Sequence, residues 1–368
     1  MNLRAALTLF SPRKHIGLEH GNREPEWVQI ANKASERGGL AVASFNAPGP
    51  DKMNSYFLKF FEMEGEQFRL ESDVLVSKSF TISITNGIPR FTPGLSYSSG
   101  NFSLLREKHA ALQLDSANGT TDRLKTVLSR TNWPPEFFKG KTVLECGCGA
   151  GPDTEVLVGL GAKVLAVDIA GLDTARKNVS HANAQFLQAD ITNLPLKRRA
   201  FDIVFCHRVL QHTPKPAQTL EAILSLVKDE GAVFVHTYAR SFIQMFRWKY
   251  VLRPITTRLN PETLYAVIEW YSKAAFKLTT LLNRNVLTQY LTWVCIPFLN
   301  YRHQEAFKTK TDDFVLEFGI HDTFDALSPK YDNPLPASHL RKIAAKHLRS
   351  PYEVIEQSTI TLLRTKLQ

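Results

Sequence analysis

The sequence predicts an α/β domain, a parallel sheet covered by helices, with a small β-rich unit before it and a helical insertion within it. Three observations predict this. From Lys141 onward, short apolar strand runs alternate with helical stretches. A glycine-rich loop, Gly147 to Gly151, follows the first of these strands and opens a helix. Acidic residues, Asp168 and Asp190, stand at the ends of the next two strands, where open α/β sheets bind ligands.

Residues 1–100 read as the β-rich unit. Gly38-Gly39 and Pro48-Gly49-Pro50 break the chain, Ser79 to Ile84 alternates polar and apolar, Asn86-Gly87 makes a turn, and Pro93-Gly94 ends the unit. Residues 101–240 read as the core. Helical stretches run from Phe102 to Leu114 and from Asp122 to Leu128, until Asn132-Trp133-Pro134-Pro135 stops them. Strands follow at Thr142–Leu144, Lys163–Val167, Gln185–Leu187, Phe201–Cys206 and Ala232–Thr237, with helices at Asp153–Leu160, Ala170–Ala182 and Pro216–Val227 between them. Right-handed crossovers then restrict the topology. Residues 241–310, from Phe242, Met245 and Phe246 onward, are aromatic-rich at helical spacing with Lys and Arg interspersed, and read as an insertion. Residues 311–368 return to the sheet with a helix, Ala337–His347, and strands at Tyr352–Ile355 and Thr359–Leu363.

At 368 residues with 43% hydrophobic and 22% charged, the chain can bury a core, which excludes a disordered, collagenous or coiled-coil chain. Its net charge of +10 favours anionic ligands or surfaces. Yet there is no Lys/Arg-rich run of five to eight and no stacked-aromatic RNA motif, and Lys197-Arg198-Arg199 reads as a solvated turn, so nucleic acid is not the expected partner. Four cysteines exclude a disulfide scaffold, and Cys146 and Cys148 are too close for an unstrained bond. The first residues, with a short apolar run from Ala5 to Phe10, lack a cleavage-site signature, and the longest apolar stretch, Tyr290 to Leu299, is too short to span a bilayer. A reducing cytoplasm is the expected location.

In the loop Glu145-Cys146-Gly147-Cys148-Gly149-Ala150-Gly151-Pro152, the glycines let the backbone approach a ligand closely. A nicotinamide fingerprint would place its third glycine where Pro152 stands. Glu145 would repel a pyrophosphate but suits a ligand with a cationic end, such as S-adenosyl-L-methionine, which carries an ammonium and a sulfonium and no phosphate. A carboxylate at Asp168 can accept both ribose hydroxyls, Asp190 can accept from the adenine amine, and Ile191 can pack on the ring. An ordinary strand-end turn accounts for any one of these carboxylates, but poorly for the set.

These residues resemble class I S-adenosyl-L-methionine-dependent methyltransferases, particularly the type-11 group. Glu145-x-Gly147-x-Gly149-x-Gly151 is similar to the first motif, Asp168 to the second-strand acid and Asp190 to the adenine-reading acid. Phe201 to Val204 with Val209-Leu210-Gln211-His212 is similar to the fourth-strand motif. The resemblance covers about residues 100–240. It implies a Rossmann-like seven-stranded sheet whose last strand is antiparallel, with Ile169, His207 and Arg208 as further cofactor contacts. Separately, Phe68 to Phe91 resembles half of the zinc-ribbon-like modules that activate methyltransferases. No cysteine precedes Cys146, so the expectation is a docking module without a metal site.

Methyl transfer is an in-line displacement in which alignment supplies most of the gain. A hydroxyl acceptor benefits from a base near neutral pKa. The candidate bases are His212, after the fourth strand, and His321, in a segment with Asp322 and Asp325 that reads as a polar loop. Tyr238 is a further polar candidate, and His236 reads as a satisfied core histidine. The helices at 242–302 would suit a lid over an apolar or lipid-linked acceptor, or a peripheral membrane contact. The expected activity is O-methylation of a small molecule or glycan intermediate. C-methylation of a lipid-soluble ring, RNA methylation and a non-catalytic partner of the same fold are the alternatives.

Overall fold

The computed structural model describes residues 52–92, 99–239, 247–283 and 285–367. Residues 1–50, Pro93-Gly94, Phe242, Met245 and Phe246 lie outside them. The described chain begins with a 3-10 turn, Ser55–Phe60, capped by the Asn54 side chain. A short hairpin follows, β1 (Glu62–Met63) and β2 (Glu66–Gln67). Strands β3 (Arg69–Glu71), β4 (Val74–Val76), β5 (Thr81–Thr85) and β6 (Ile88–Pro89) form an antiparallel sheet in sequence order. Asn86 and Gly87 both have positive φ, 53° and 67°, as a two-residue hairpin turn requires.

Three helices lead into the core: α1 (Ser99–Lys108), α2 (Asp115–Asn118) and α3 (Asp122–Thr131). On α3, Leu124, Val127, Leu128 and Thr131 are buried, the spacing of one helical face. Then β7 (Thr142–Cys146), α4 (Pro152–Gly159), β8 (Lys163–Asp168), α5 (Leu172–Asn178), β9 (Ala184–Gln188), β10 (Phe201–His207), α6 (Pro216–Leu224) and β11 (Val227–Tyr238) alternate. The insertion holds α7 (Trp248–Thr256), α8 (Pro261–Leu282), α9 (Val286–Cys295) and α10 (Asp312–Leu327). The chain ends with α11 (Ala337–His347), β12 (Tyr352–Glu356) and β13 (Ile360–Thr365).

The large sheet has seven strands in the order β12-β13-β11-β10-β7-β8-β9. Strands β7 to β11 are parallel, and β13 runs antiparallel to both of its neighbours. Strand β7 is buried along its whole length and β8 nearly so, as expected of a sheet covered on both faces. The order turns back between β7 and β10, and the glycine loop leaves β7 at that switch point.

The chain divides into two compact units. One comprises the small antiparallel sheet, the seven-stranded sheet and its helices. The small sheet shares a core with the large one through Leu75 and Ile84, and the preceding 3-10 turn packs there too: Phe60 stacks on Phe201 at 4.9 Å, and Phe57 and Phe61 are fully buried. The other unit is the insertion, which runs to Lys330 rather than 310. The segment expected as a loop around His321 is the interior of α10, a correction. Thr311 caps the helix by accepting from Phe314 N, and Val315, Gly319, Ile320, Thr323, Phe324 and Leu327 are buried at helical spacing. The polar text of His321-Asp322-Thr323 masks this period. No helix among the described residues is long and apolar enough to cross a membrane.

Candidate active site

The glycine loop is held by hydrogen bonds to β8. Gly147 N and Cys148 N both donate to the Val167 carbonyl, at 2.7 and 3.0 Å. Gly147 has φ 83°, and a Cβ there would lie 2.2 Å from Val209 Cγ2, so no other residue fits. The loop therefore packs on the segment that follows β10. That segment starts at Arg208, whose φ of 64° is unusual for a side-chain-bearing residue. Such backbone strain concentrates at functional sites.

Glu145 is buried beneath the loop and accepts from the Thr154 hydroxyl at 2.6 Å. Burial, and then the Asp153 charge, push its carboxyl up to about 8. Glu145 is thus a buried acceptor that a cationic group would turn into a carboxylate. Asp168 accepts four hydrogen bonds. Its Oδ1 takes Ile169 N at 2.7 Å and Ala170 N at 3.3 Å; its Oδ2 takes Gly149 N at 2.8 Å and Arg106 Nη2 at 3.0 Å. Asp190 accepts from Thr192 N at 2.9 Å, and Ile191 is buried.

Arg106, on α1, is a further member of the site. Its guanidinium lies across the loop, 3.4 Å from a Cβ placed at Gly149, and its Cδ would lie 2.3 Å from one at Gly171. Its Nη1 is buried with no partner among the described residues. No sequence signal marks Arg106, because it lies 62 residues before the aspartate it meets.

His207, expected beside the cofactor, has both ring nitrogens occupied by protein. Nδ1 lies 2.9 Å from Asp153 Oδ2, and Nε2 meets Arg130 Nη1. Arg123 Nε donates to Asp153 Oδ1 at 2.7 Å. Despite burial, the Arg123 and His207 partners hold Asp153 well below the usual carboxylate range. Burial pulls His207 down to about 3 and Arg130 to about 9. This makes His207 a neutral interior brace between α4 and α3. Arg123 and Arg130, seven residues apart on α3, share one side of the helix, a spacing visible in the sequence but not singled out there. His236 is core, but both of its ring nitrogens are buried without a hydrogen-bond partner among the described residues, and burial holds it well below its usual value.

His212 sits in a 3-10 turn after β10, Leu210–His212. Its Nδ1 lies 3.1 Å from the Tyr331 carbonyl, which can only accept, so Nδ1 is the donor there and Nε2 is the lone-pair nitrogen of the neutral tautomer. The ring is held edge-on between Phe102 and Tyr238, each at 5.9 Å. Nε2 is buried and has no protein partner among the described residues. His321, in the other unit, pairs through Nδ1 with Asp322 Oδ1 at 2.8 Å, and Asp322 accepts from Tyr301 OH. Asp325 lies on the same helix. The cysteines are free, and burial pushes Cys146 and Cys148 upward and Cys206 up to about 12, so these thiols are inert.

The sheet order, the glycine loop at the switch point and the carboxylates at the ends of β7, β8 and β9 form the Rossmann-like fold implied by the resemblance to S-adenosyl-L-methionine-dependent methyltransferases. The residues fit that cofactor better than a dinucleotide: the loop runs into Pro152 and Asp153, and a buried acid lies where a pyrophosphate would need positive charge. Residues 144–235 match the family model described as a methyltransferase domain. The ubiquinone biosynthesis O-methyltransferase of Acinetobacter baylyi is 36% identical over 121 residues, 30% of this chain and 51% of that protein. The enzyme of the same name from Stutzerimonas stutzeri is 34% identical over 119 residues, again 30% of this chain and 51% of that protein. The chain thus spans about half the length of these relatives. A solved S-adenosylmethionine-dependent methyltransferase from Mesorhizobium loti aligns with a TM-score of 0.29 at 22% identity, over 32% of this chain and 54% of that one.

Proposed function

We propose that the chain methylates an oxygen of a small-molecule acceptor, a glycan intermediate or a lipid-linked compound, with S-adenosyl-L-methionine as donor. The observation that carries this reading is the set Glu145, Asp168 and Asp190 at three successive strand ends around one glycine loop. When bound, the donor supplies a methyl group on a sulfonium. Asp168 and Asp190 hold the nucleoside, Glu145 offers a buried acceptor beneath the loop to a cationic tail, and Ile169 and Ile191 line the ring. Arg208, on its strained backbone, is a further contact. Attack by a hydroxyl releases a proton. The tautomer imposed by the Tyr331 carbonyl leaves His212 Nε2 able to take it, so His212, in the same unit as the glycine loop, is the favoured base. Transfer to oxygen rather than nitrogen or carbon rests on the names of the relatives.

The amino-terminal sheet is proposed as a built-in counterpart of the activator modules it resembles. It meets β9 through Arg90, whose Nη1 donates to Gln188 Oε1 at 2.8 Å and whose Nη2 pairs with Asp173 at 2.9 Å.

Labelled donor, incubated with the chain and with lipid, glycan and RNA fractions, tests the reading. Label should enter a base-stable product in the lipid or glycan fraction. His212→Ala should keep donor binding and lose roughly 10²–10⁴-fold in turnover. His321→Ala should turn over like wild type. Donor binding without turnover on any fraction would instead favour a non-catalytic partner.

A further inference from the structure

We infer that helices α7 to α9 form a surface that docks on a lipid bilayer bearing anionic head groups. The inference does not depend on the proposed methyl transfer. Eleven large hydrophobic residues are strongly exposed among the described residues, and ten of them fall between Val251 and Leu291. They follow helical spacing. Helix α7 leaves Val251 and Ile255 exposed, at 65% and 63%, one turn apart. Helix α9 leaves Leu287 and Leu291, at 58% and 50%, again one turn apart. Helix α8 carries the fullest stripe: Val267, Trp270, Leu278 and Leu281, with Trp270 84% exposed.

Helix α8 does not need this stripe to fold. Its opposite side already buries Leu264, Tyr265, Ile268, Ala275 and Phe276, with Tyr265 packed edge-on to Phe324 of α10. A soluble helix normally buries one apolar side and shows water a polar one. Here the second side is apolar too, and a patch of this kind marks an interaction surface.

Charge identifies the occupant. Residues 247–295 hold seven Lys and Arg against two Glu; Lys249 and Arg253 are buried, while Arg258, Lys273 and Lys277 are exposed. On α8, Lys277 and Lys273 border the stripe at seven and three residues from Trp270, and Glu262 and Glu269 lie on the same shoulder by helical geometry, farther from the stripe than the lysines. Lysines at the edge of an apolar face extend their stems along it and set their ammonium groups among lipid phosphates. Exposed aromatics such as Trp270 suit the head-group layer. Four charged residues within α8 rule it out as a span, so the geometry is that of a helix lying in the interface.

The test is flotation of the purified full chain with phosphatidylcholine vesicles, alone or with roughly a third phosphatidylglycerol. Wild type should float with the anionic vesicles and bind neutral ones about tenfold more weakly. Trp270→Asp/Leu281→Asp on α8 and, independently, Val251→Asp/Ile255→Asp on α7 should each cut binding about tenfold or more with melting unchanged, because these side chains are already exposed. Lys273→Gln/Lys277→Gln should remove most of the preference for anionic lipid. The inference fails if wild type does not float, or if both aspartate pairs float like wild type. It also fails if the chain forms a dimer that the aspartate substitutions dissolve while no vesicle is bound, since a second copy would then cover the face.

Discussion

Replacing Asp168 by Asn tests the centre of the site. The carboxylate is an acceptor on all four of its bonds: Ile169 N and Ala170 N on one oxygen, Gly149 N and Arg106 on the other. An asparagine amide has one acceptor oxygen and one donor NH₂. Whichever way it turns, the NH₂ faces two donors. Turned toward Arg106, it loses one charge-assisted bond and one backbone bond and leaves the guanidinium short of acceptors, its Nη1 having no hydrogen-bond partner among the described residues. The side chains of the pair are only 15% and 6% exposed, so solvent screens little of the loss. The expected cost is about 3–4 kcal/mol, or a melting temperature lower by roughly 5–10 °C. Arg106→Gln/Asp168→Asn restores a donor–acceptor match and should recover about 1–3 kcal/mol relative to the sum of the two single substitutions. Calorimetric titration with S-adenosyl-L-methionine should show at least about a tenfold loss for Asp168→Asn, since ribose hydroxyls donate more strongly to a carboxylate than to an amide. Strict additivity in the double-mutant cycle would refute the pair as a unit. Wild-type donor affinity in folded Asp168→Asn would refute the ribose assignment.

Stability should peak near pH 6.5. Between about 3 and 6.5 the unfolded chain binds protons that the buried His207 and His236 refuse, so stability rises with pH; between about 4.5 and 8 the folded chain keeps a proton on Glu145 that the unfolded chain releases, so above 6.5 stability falls. Denaturant titrations on either side of the peak should show both limbs, and Glu145→Gln should flatten the alkaline one; an unchanged alkaline limb would assign it to another group. A chelator should change neither melting temperature nor activity, since no cluster of three His, Cys, Asp or Glu residues among the described residues can hold a metal ion; about one equivalent of zinc by elemental analysis would contradict this.

The parts of the site legible in the sequence are those whose cause is local. Gly147 is required by its own backbone angle, and Asp168 and Asp190 stand at strand ends that alternation and turn residues mark. The Asn86-Gly87 turn is legible for the same reason. The arginines are not legible, because each acts at a distance: Arg123 meets Asp153 across 30 residues and Arg130 meets His207 across 77. Only folding α3 against the sheet brings them together. The protein partners of both His207 ring nitrogens are hidden for the same reason, since the sequence shows the strand end but not the helix that packs on it. The α10 helix was hidden differently: its buried period is carried partly by Gly319 and Thr323, which a search for apolar spacing passes over.

The long-range pairs also give the amino-terminal sheet a physical role. Strand β9 is an edge strand of the seven-stranded sheet, and an open edge in a parallel sheet exposes unpaired backbone. The small sheet closes it. Arg90 bridges to Gln188 in parallel register, Phe91 N donates to the Gln188 carbonyl at 2.8 Å, and the buried Gln185 side chain donates to the Gly87 carbonyl at 2.9 Å. Gln188 in turn donates to the Ile169 carbonyl at 3.1 Å, directly after Asp168. Arg90 also clamps Asp173, on the first turn of the helix that follows. The small sheet thus fixes both ends of the segment from Asp168 to Asp173 and the strand that delivers Asp190. Its contribution is to hold in register Asp168 and Asp190, the two carboxylates proposed to face the nucleoside, through hydrogen bonds and stacked rings at a sheet edge.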